Sequence, residues 1–364
     1  DGTSVVQWDG ELRPYSYVGN NMDHFYETGS TFINSLAVSN SGDNFTFRFS
    51  ATDMANEDVM PNAGLDRNSF SLNATSVTAE KLTVSVNAKY IIEKVQNRPR
   101  LSDAPGNANF TVAMLSPNVD VRFMEPGANE DLTERVYSNN VFSQNPYFAA
   151  YNFRNEDVKN RLIASGSLRY DITDNLYALY RAGIDHYTIE RTAVTPYGTA
   201  YQPLGSIGET EIRYTQIDQD FLVGYDNQVT DRLNVSAFVG VNGNSVEQET
   251  LSLNGNRFIV PGLEDIGNTE NASRSRGYSK RKIGSVYGSA EVSWDNWAYL
   301  TFTGRNDWFS TLSFPGKTSP NDDFYPSISG SVIFSELFDL GDAINFLKLR
   351  GGYSQVAGGA QQPY

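Results

Sequence analysis

Leu162-Ile163-Ala164-Ser165-Gly166-Ser167-Leu168-Arg169-Tyr170-Asp171-Ile172, then Thr173-Asp174-Asn175, then Leu176-Tyr177-Ala178-Leu179-Tyr180-Arg181-Ala182-Gly183-Ile184-Asp185 is the stretch that decides the fold. In the first run Leu162, Ala164, Gly166, Leu168, Tyr170 and Ile172 take every second position, against Ser165, Ser167, Arg169 and Asp171. In the second, Leu176, Ala178, Tyr180, Ala182 and Ile184 oppose Arg181 and Asp185. Side chains of a strand point alternately to its two faces, so both runs read as strands with one apolar face. Thr173-Asp174-Asn175 between them suits a tight hairpin turn, because Asp and Asn tolerate turn geometry.

The same period recurs outward along the chain. Val235, Ala237, Val239 and Val241 alternate with Asn234, Ser236 and Asn242, and Val286, Gly288, Ala290 and Val292 with Ser285, Tyr287, Ser289 and Glu291. Leu300 and Phe302 oppose Thr301 and Thr303; Phe45, Phe47 and Phe49 oppose Thr46, Arg48 and Ser50; Leu82, Val84 and Val86 oppose Thr83, Ser85 and Asn87. About twelve such runs are expected, many of roughly 10–16 residues, where ordinary soluble strands have about 5–6. A tilted strand crossing a membrane needs about 9–11 residues.

The connections alternate between tight and long. Tight turns fall at Ser41-Gly42-Asp43, Ala79-Glu80, Thr173-Asp174-Asn175, Thr230-Asp231 and Asp295-Asn296; between them lie polar stretches at 54–65, 96–160, 191–210, 249–278 and 312–323. In an up-and-down barrel, odd and even connections emerge at opposite rims, so this order collects the long loops on one rim, as in outer-membrane barrels. Aromatics near strand ends (Tyr90, Tyr170, Tyr187, Tyr225, Trp294, Trp297, Trp308, Phe324, Tyr325) suit girdles at the two membrane interfaces. The reading is an all-β chain, an antiparallel transmembrane β-barrel with long extracellular loops and short periplasmic turns.

Composition narrows the function classes. The 364 residues carry 28 Lys+Arg against 43 Asp+Glu, a formal net charge of −15, which disfavours nucleic acid as a partner. Without cysteine there is no disulfide or thiolate chemistry, and His24 and His186 are too few for a His-rich metal site or a conventional triad. No apolar run approaches the roughly 18 residues of a membrane helix, and mean hydropathy is −0.43. Neither fact argues against a barrel, where only alternate residues meet lipid. No cofactor and no catalytic residue is expected, so the chain does not read as an enzyme.

Several motifs then resemble one family. Thr301-Phe302-Thr303-Gly304-Arg305-Asn306-Asp307-Trp308, followed by Phe324-Tyr325-Pro326-Ser327-Ile328-Ser329-Gly330-Ser331, resembles the TGRxDWS…YFYPSxSGS signature of SusC/RagA-type TonB-linked outer-membrane proteins. Leu347-Lys348-Leu349-Arg350-Gly351-Gly352-Tyr353-Ser354-Gln355 resembles their KLRxSYGQ strand, and Asn145-Pro146-Tyr147-Phe148 with Asn160-Arg161-Leu162 their NPYW…NRL spacing. Gly29-Ser30 through Leu65-Asp66-Arg67 resembles the first barrel hairpins.

The resemblance implies residues 1–28 as a lead-in after the plug and 29–357 as about the first 12 of roughly 22 barrel strands. Nothing in the chain resembles the plug, the TonB box or the later strands, and it reads as an internal piece of a longer protein. The implied function of the whole is active import of oligosaccharides or peptides. A SusD-like surface lipoprotein would act as lid, and force would come from the TonB-ExbB-ExbD complex through the N-terminal region. Family members also suggest a dimer of barrel–lid pairs. A passive porin is the alternative, and a secreted soluble β-rich module a third class.

Candidate sites follow. Tyr137, Asn139, Asn140, Tyr147, Phe148 and Tyr151, with Tyr197, Tyr201 and Gln202 in the next loop, combine aromatic faces with amides. That composition suits either ligand contact or burial against a lid, and lid contact is favoured. Arg48, Lys89, Arg169, Arg181, Asp185, Arg305 and Asp307 face away from the apolar stripes and are expected on the lumen wall or against a plug. Arg274, Arg276, Lys280, Arg281 and Lys282 form a basic cluster where a long loop is expected to enter a strand. It suits phosphates of lipopolysaccharide or an acidic glycan, or a solvated rim. Asn56-Glu57-Asp58, Asn129-Glu130-Asp131 and Asn155-Glu156-Asp157 lack EF-hand spacing and read as solvated loop.

Overall fold

The computed structural model describes residues 3–313, 316, 320–338, 341, 344–356 and 358. A small hairpin, β1 (Ser4–Val6) and β2 (Leu12–Pro14), and the short helix α1 (Asn21–Phe25) precede a run of long strands. These are β3 (Ser30–Ser41), β4 (Phe45–Glu57), β5 (Gly64–Thr78), β6 (Leu82–Gln96), β7 (Arg154–Asp171) and β8 (Leu176–Thr195). They continue as β9 (Ser206–Thr230), β10 (Leu233–Phe258), β11 (Thr269–Trp294), β12 (Ala298–Phe309), β13 (Asp322–Ile333) and β14 (Lys348–Ser354). Helices α2 (Ala108–Met114) and α3 (Pro146–Asn152) lie in the connection between β6 and β7.

All twelve long strands form one antiparallel sheet in sequence order, each paired with its chain neighbours, so the all-β meander expected from the alternation is met. Two of the tight turns use the left-handed region at both central positions: Ala79 and Glu80 (φ 52° and 60°) and Asp295 and Asn296 (φ 51° and 62°). This geometry matches the right-handed twist of the flanking strands. At Ala79 it is taken without the help of Gly, Asn or Asp.

The continuous register assigns every side chain to a face. Leu36, Phe49, Leu72, Val86, Leu168, Tyr180, Phe221, Val239, Val286, Phe302 and Ile328 all fall on one face, and all are exposed. The other face is polar and concave: one cavity of about 580 Å³ is lined by residues from β6 through β12. A soluble sheet buries its apolar face against another layer. Here most of the buried hydrophobics of the described residues gather in the connections and at the adjoining strand ends instead, with Leu222 of β9 an exception inside the sheet. Phe25, Met60, Ala108, Val112, Val121, Met124, Tyr147, Phe148 and Phe153 make one cluster, and Val194, Ile207 and Phe258 another.

The band of exposed apolar residues has a measurable height. Trp294 ends β11 at the tight turn, and Gly284, ten positions earlier, lies opposite Trp308. Ten residues are about 33 Å of strand, or roughly 25 Å of height at a tilt of about 40°. That equals the apolar band of an outer-membrane barrel. Of the girdle aromatics, Tyr90, Tyr170, Tyr225, Trp294, Trp308 and Phe324 share the apolar face. Tyr187 and Tyr325 have the opposite parity and face the concave side, and Trp297 sits in a turn.

Three expectations need correction. The polar stretches at 54–65 and 191–210 are half strand and 249–278 is two-thirds strand; the connections shrink to 58–63, 196–205 and 259–268. The reason is that the upper halves of β8–β11 stand clear of the apolar band, where no lipid-facing residue marks the period. Consequently Asn56-Glu57 and Asn155-Glu156-Asp157 lie in β4 and β7 rather than in solvated loops. The basic cluster likewise sits inside β11 and not at a loop entry. The third concerns the alternation of tight and long, which ends at β13–β14: residues 334–347 join them at the rim of tight turns. The stretch 312–323 lies partly outside the described residues, as do the boundary at 357 and the end of the chain.

Candidate functional site

The site is built on the concave face, where strand pairing places charges of opposite sign side by side. Arg181 of β8 is registered opposite Asp220 of β9, and its Nε donates to the carboxylate at 3.0 Å. The Tyr287 hydroxyl of β11 donates to the other oxygen of Asp220, reaching across β10. It can do so because β10 carries Gly240 there: a Cβ on Gly240 would stand 2.7 Å from Tyr287 Cζ and 3.0 Å from Leu222 Cβ. The guanidinium of Arg305 stands 5.7 Å from the Tyr287 ring centre and donates to Asp307 at 2.6 Å and Ser285 at 2.8 Å.

Higher on the same wall, Arg161 clasps Asp185 through two bonds of 2.8 and 2.6 Å. Tyr187 stacks on Tyr214 with ring centres 4.8 Å apart, and Lys159 lies 5.2 Å from the Tyr187 ring centre. Tyr214 donates to Gln216, Gln216 to Asp218, and Asn244 to Asp218, each within 2.8 Å. The result is a largely polar wall of fixed dipoles and ion pairs, with Leu179, Leu222 and Ile163 at the same parity. Such a wall wets readily and offers hydrogen bonds to polar solutes.

The seven lumen residues named from sequence all carry the parity of this face. The structure brings Arg181 and Asp185, and Arg305 and Asp307, into the networks above. Arg169 pairs instead with Asp171 at 2.9 Å and covers the Tyr177 ring at 3.8 Å. Lys89 joins Arg67, Lys159 and Arg161 around a second hollow of about 440 Å³, and Arg48 is registered between Ser39 and Asn73. Asp218, Asp220 and Tyr214 were not singled out in the sequence, and Tyr287 was placed on the polar face without a role. For the three β9 residues the signal lay in their alternation with Phe221, Val223 and Tyr225, but only the register says which cation each acid meets.

The loop residues divide differently. Asn145 caps α3, its Oδ1 accepting from the Tyr147 and Phe148 amides at 3.0 and 3.4 Å, with Pro146 in the first turn. Its Nδ2 donates to the Met124 and Arg135 carbonyls. Phe148 is fully buried and Tyr147 nearly so, both inside the loop's own core, so neither ring faces a ligand or a lid in this arrangement. Burial also pushes the Tyr147 and Tyr137 hydroxyls up from the ordinary phenol range. Tyr137 is half-buried and bonded to Ser143 at 2.6 Å, Tyr197 packs on the Val194 cluster, and Gln202 bonds the Gly205 carbonyl at 3.3 Å. Tyr201 lies against Phe142, ring centres 5.9 Å apart. Asn139, Asn140 and Tyr151 remain exposed.

One loop residue that sequence reasoning passed over joins two connections. Glu134, 4% exposed, accepts the Asn145 amide at 2.7 Å and the Ala200 amide at 2.9 Å, while its own N–H bonds the Gly198 carbonyl. Burial raises its carboxyl above the ordinary glutamate range against the pull of those two donors. Among the described residues, no group of three or more His, Cys, Asp or Glu is arranged to hold a metal ion.

No family model matches the chain, and no curated protein matches it. Solved structures do. A chain of the RagAB peptide transporter superposes with a TM-score of 0.75 at 16% identity, covering 93% of this chain and 38% of that one. The RagAB peptide importer in its open-open state gives 0.74 at 18% identity, over 92% and 37%. The outer membrane transporter YddB from Escherichia coli gives 0.54 at 12% identity, over 91% and 39%. At these identities the likeness is one of fold, and it is the fold expected from the motifs. The chain spans less than two fifths of the length of those chains.

Proposed function

We propose that the chain is the barrel portion of an outer-membrane importer of the SusC/RagA type. The observation that carries the reading is the continuous apolar, exposed band on the convex face, about 25 Å tall, around a concave wall of paired ions. Such a sheet is stable only where lipid covers its outside and water or a plug fills its inside. A barrel of the roughly 22 strands that the family resemblance implies cannot select small solutes by size, so the whole protein needs a plug. The outer membrane has no ATP, so force comes through the TonB complex. Oligosaccharides or peptides are the cargo class suited to the amide- and tyrosine-rich wall, and no bond in them is broken.

A SusD-like lipoprotein is the proposed lid, seated on the rim that carries the long connections, where Asn139, Asn140 and Tyr151 stay exposed. A dimer of barrel–lid pairs completes the assembly. The test is detergent extraction of the native protein from outer membranes, followed by mass spectrometry of the co-purifying chains. A full-length mass well above that of these 364 residues, with a lipoprotein attached, is the expected result. A chain recovered without detergent overturns the reading.

A further inference from the structure

The concave face of β3–β7 carries cations that the networks above leave unbalanced. Register sets the side chains there in rows across the strands. One row runs Ile33, Met54, Arg67, Glu93, Lys159; the next sets Ile91 beside Arg161, and the third Lys89 beside Ile163. Arg67 directs its Nε to Glu93 at 2.8 Å, and Arg161 directs Nε and Nη2 to Asp185. Among the described residues, Lys89 and Lys159 have no carboxylate within ion-pair distance. Two unneutralised ammonium groups thus border one hollow of about 440 Å³, in a chain whose formal charge is −15.

Their spacing frames a small anion. Lys159 sits one row nearer the long connections than Ile91 and Arg161, and Lys89 one row farther from them. Their Cα atoms are therefore about 14 Å apart, four residues along the strand and one strand across. Two four-carbon stems can close that span onto a single carboxylate in charge-assisted bonds. Lys159 already leans toward the middle row, its Nζ 5.2 Å from the Tyr187 ring centre. The floor between the lysines is apolar: Ile91 lies there, with Met54 two strands away and Ile33 three. Thr52, Ser69 and Ser71 add hydroxyls around it. Among the described residues, no aromatic side chain lines the hollow. Tyr187, registered beside Arg161, lies between Tyr214 and the cations Lys159 and Arg161, so neither of its faces is open.

We propose that this hollow binds the free C-terminal carboxylate of a peptide whose last residue is aliphatic. The carboxylate lies between the ammonium groups of Lys89 and Lys159, and the terminal side chain rests on Ile91. The three preceding residues, about 10 Å of extended chain, carry the backbone past the hydroxyls to Met54. An acidic sugar would meet the same cations, but its hydroxyls would face apolar side chains and its ring would find no aromatic face to stack on. The proposal rests on the importer reading above and selects one cargo class within it.

The experiment measures binding of a labelled glycine–serine pentapeptide ending in leucine to the full-length protein in detergent. The free acid should bind about tenfold or more tightly than the same peptide with a C-terminal amide. A peptide ending in serine should bind several-fold more weakly than one ending in leucine. The double variant Lys89→Gln, Lys159→Gln should hold acid and amide alike, whereas Lys94→Gln, of opposite parity on β6, should change nothing. No measurable peptide binding, equal binding of acid and amide, or an acid preference that survives the double variant overturns the site. Trigalacturonate bound as tightly as the acid peptide, and lost in the double variant, gives the hollow to acidic glycans and overturns it too. A full-length protein that needs no detergent overturns the importer reading and this proposal with it, whereas loss of the acid preference alone leaves the importer standing.

Discussion

The fold rests at the residue scale on parity, and parity makes adjacent positions opposite in kind. Ala237 is registered between Tyr225 and Ala290 on the apolar face, whereas Ser236 lies between Asp226 and Glu291 on the polar one. Ala237→Arg should cost about 2–4 kcal/mol of barrel stability and Ser236→Arg little, read by urea unfolding in lipid. Equal tolerance at both would remove the assignment of faces. Gly240 offers a second case, because Tyr287 occupies the space its side chain would need. Gly240→Val should displace that ring, strip Asp220 of the phenol and cost about 1–3 kcal/mol. If the two positions are coupled as the geometry has it, Gly240→Val in a Tyr287→Ala background should cost distinctly less. Additive losses would deny the contact.

The element scale belongs to the connections, which hold the buried core that the sheet lacks. The segment 97–153 folds around Asn145, and Glu134 ties it to 196–205. Glu134→Ala leaves both amides without their acceptor, at about 1–3 kcal/mol. Hydrogen exchange should rise at Ala200 and Asn145 with the strands unchanged; exchange rising throughout would mean that the clasp supports the whole sheet. The carboxyl is raised in the folded protein, so protonation favours the closed clasp. That contribution is complete below the unfolded value near 4.5 and fades as pH rises through the folded one. The amide shifts of Asn145 and Ala200 should therefore titrate above the ordinary glutamate range, and a midpoint at or below it would contradict the burial argument.

At this scale one also sees why strand lengths were underestimated from sequence. Inside the band, Val235 to Val241 announce themselves by contrast with their neighbours. Above it, Glu247, Glu249, Arg276 and Lys280 occupy the lipid-side parity yet are polar, so the period disappears while the backbone pairing continues. Loop chemistry and exposed-strand chemistry then look alike. Asn145-Pro146 was legible as a motif, but its role as a cap followed from the structure.

For the whole molecule, the decisive property is the inversion of the usual order, with apolar residues outside and ion pairs inside. An importer and a passive porin share that inversion, so the difference between them is functional. Uptake of an oligosaccharide or peptide by cells carrying the full-length protein should stop when TonB is deleted. Uptake that persists at the same rate would favour the porin.

Alternation along the chain by itself determined the class of fold, the polar and apolar faces of each strand and the order of the tight turns, because side-chain parity is local. It also placed Arg181, Asp185, Arg305 and Asp307 on the polar face. Only the tertiary structure decided that Arg181 meets Asp220 and Tyr287, that Tyr147 and Phe148 are sealed inside a loop core, and that the basic cluster rides on a strand above the band. Those facts depend on which residues of distant segments share a level in the sheet. That level is set by register and strand length, which no single strand encodes.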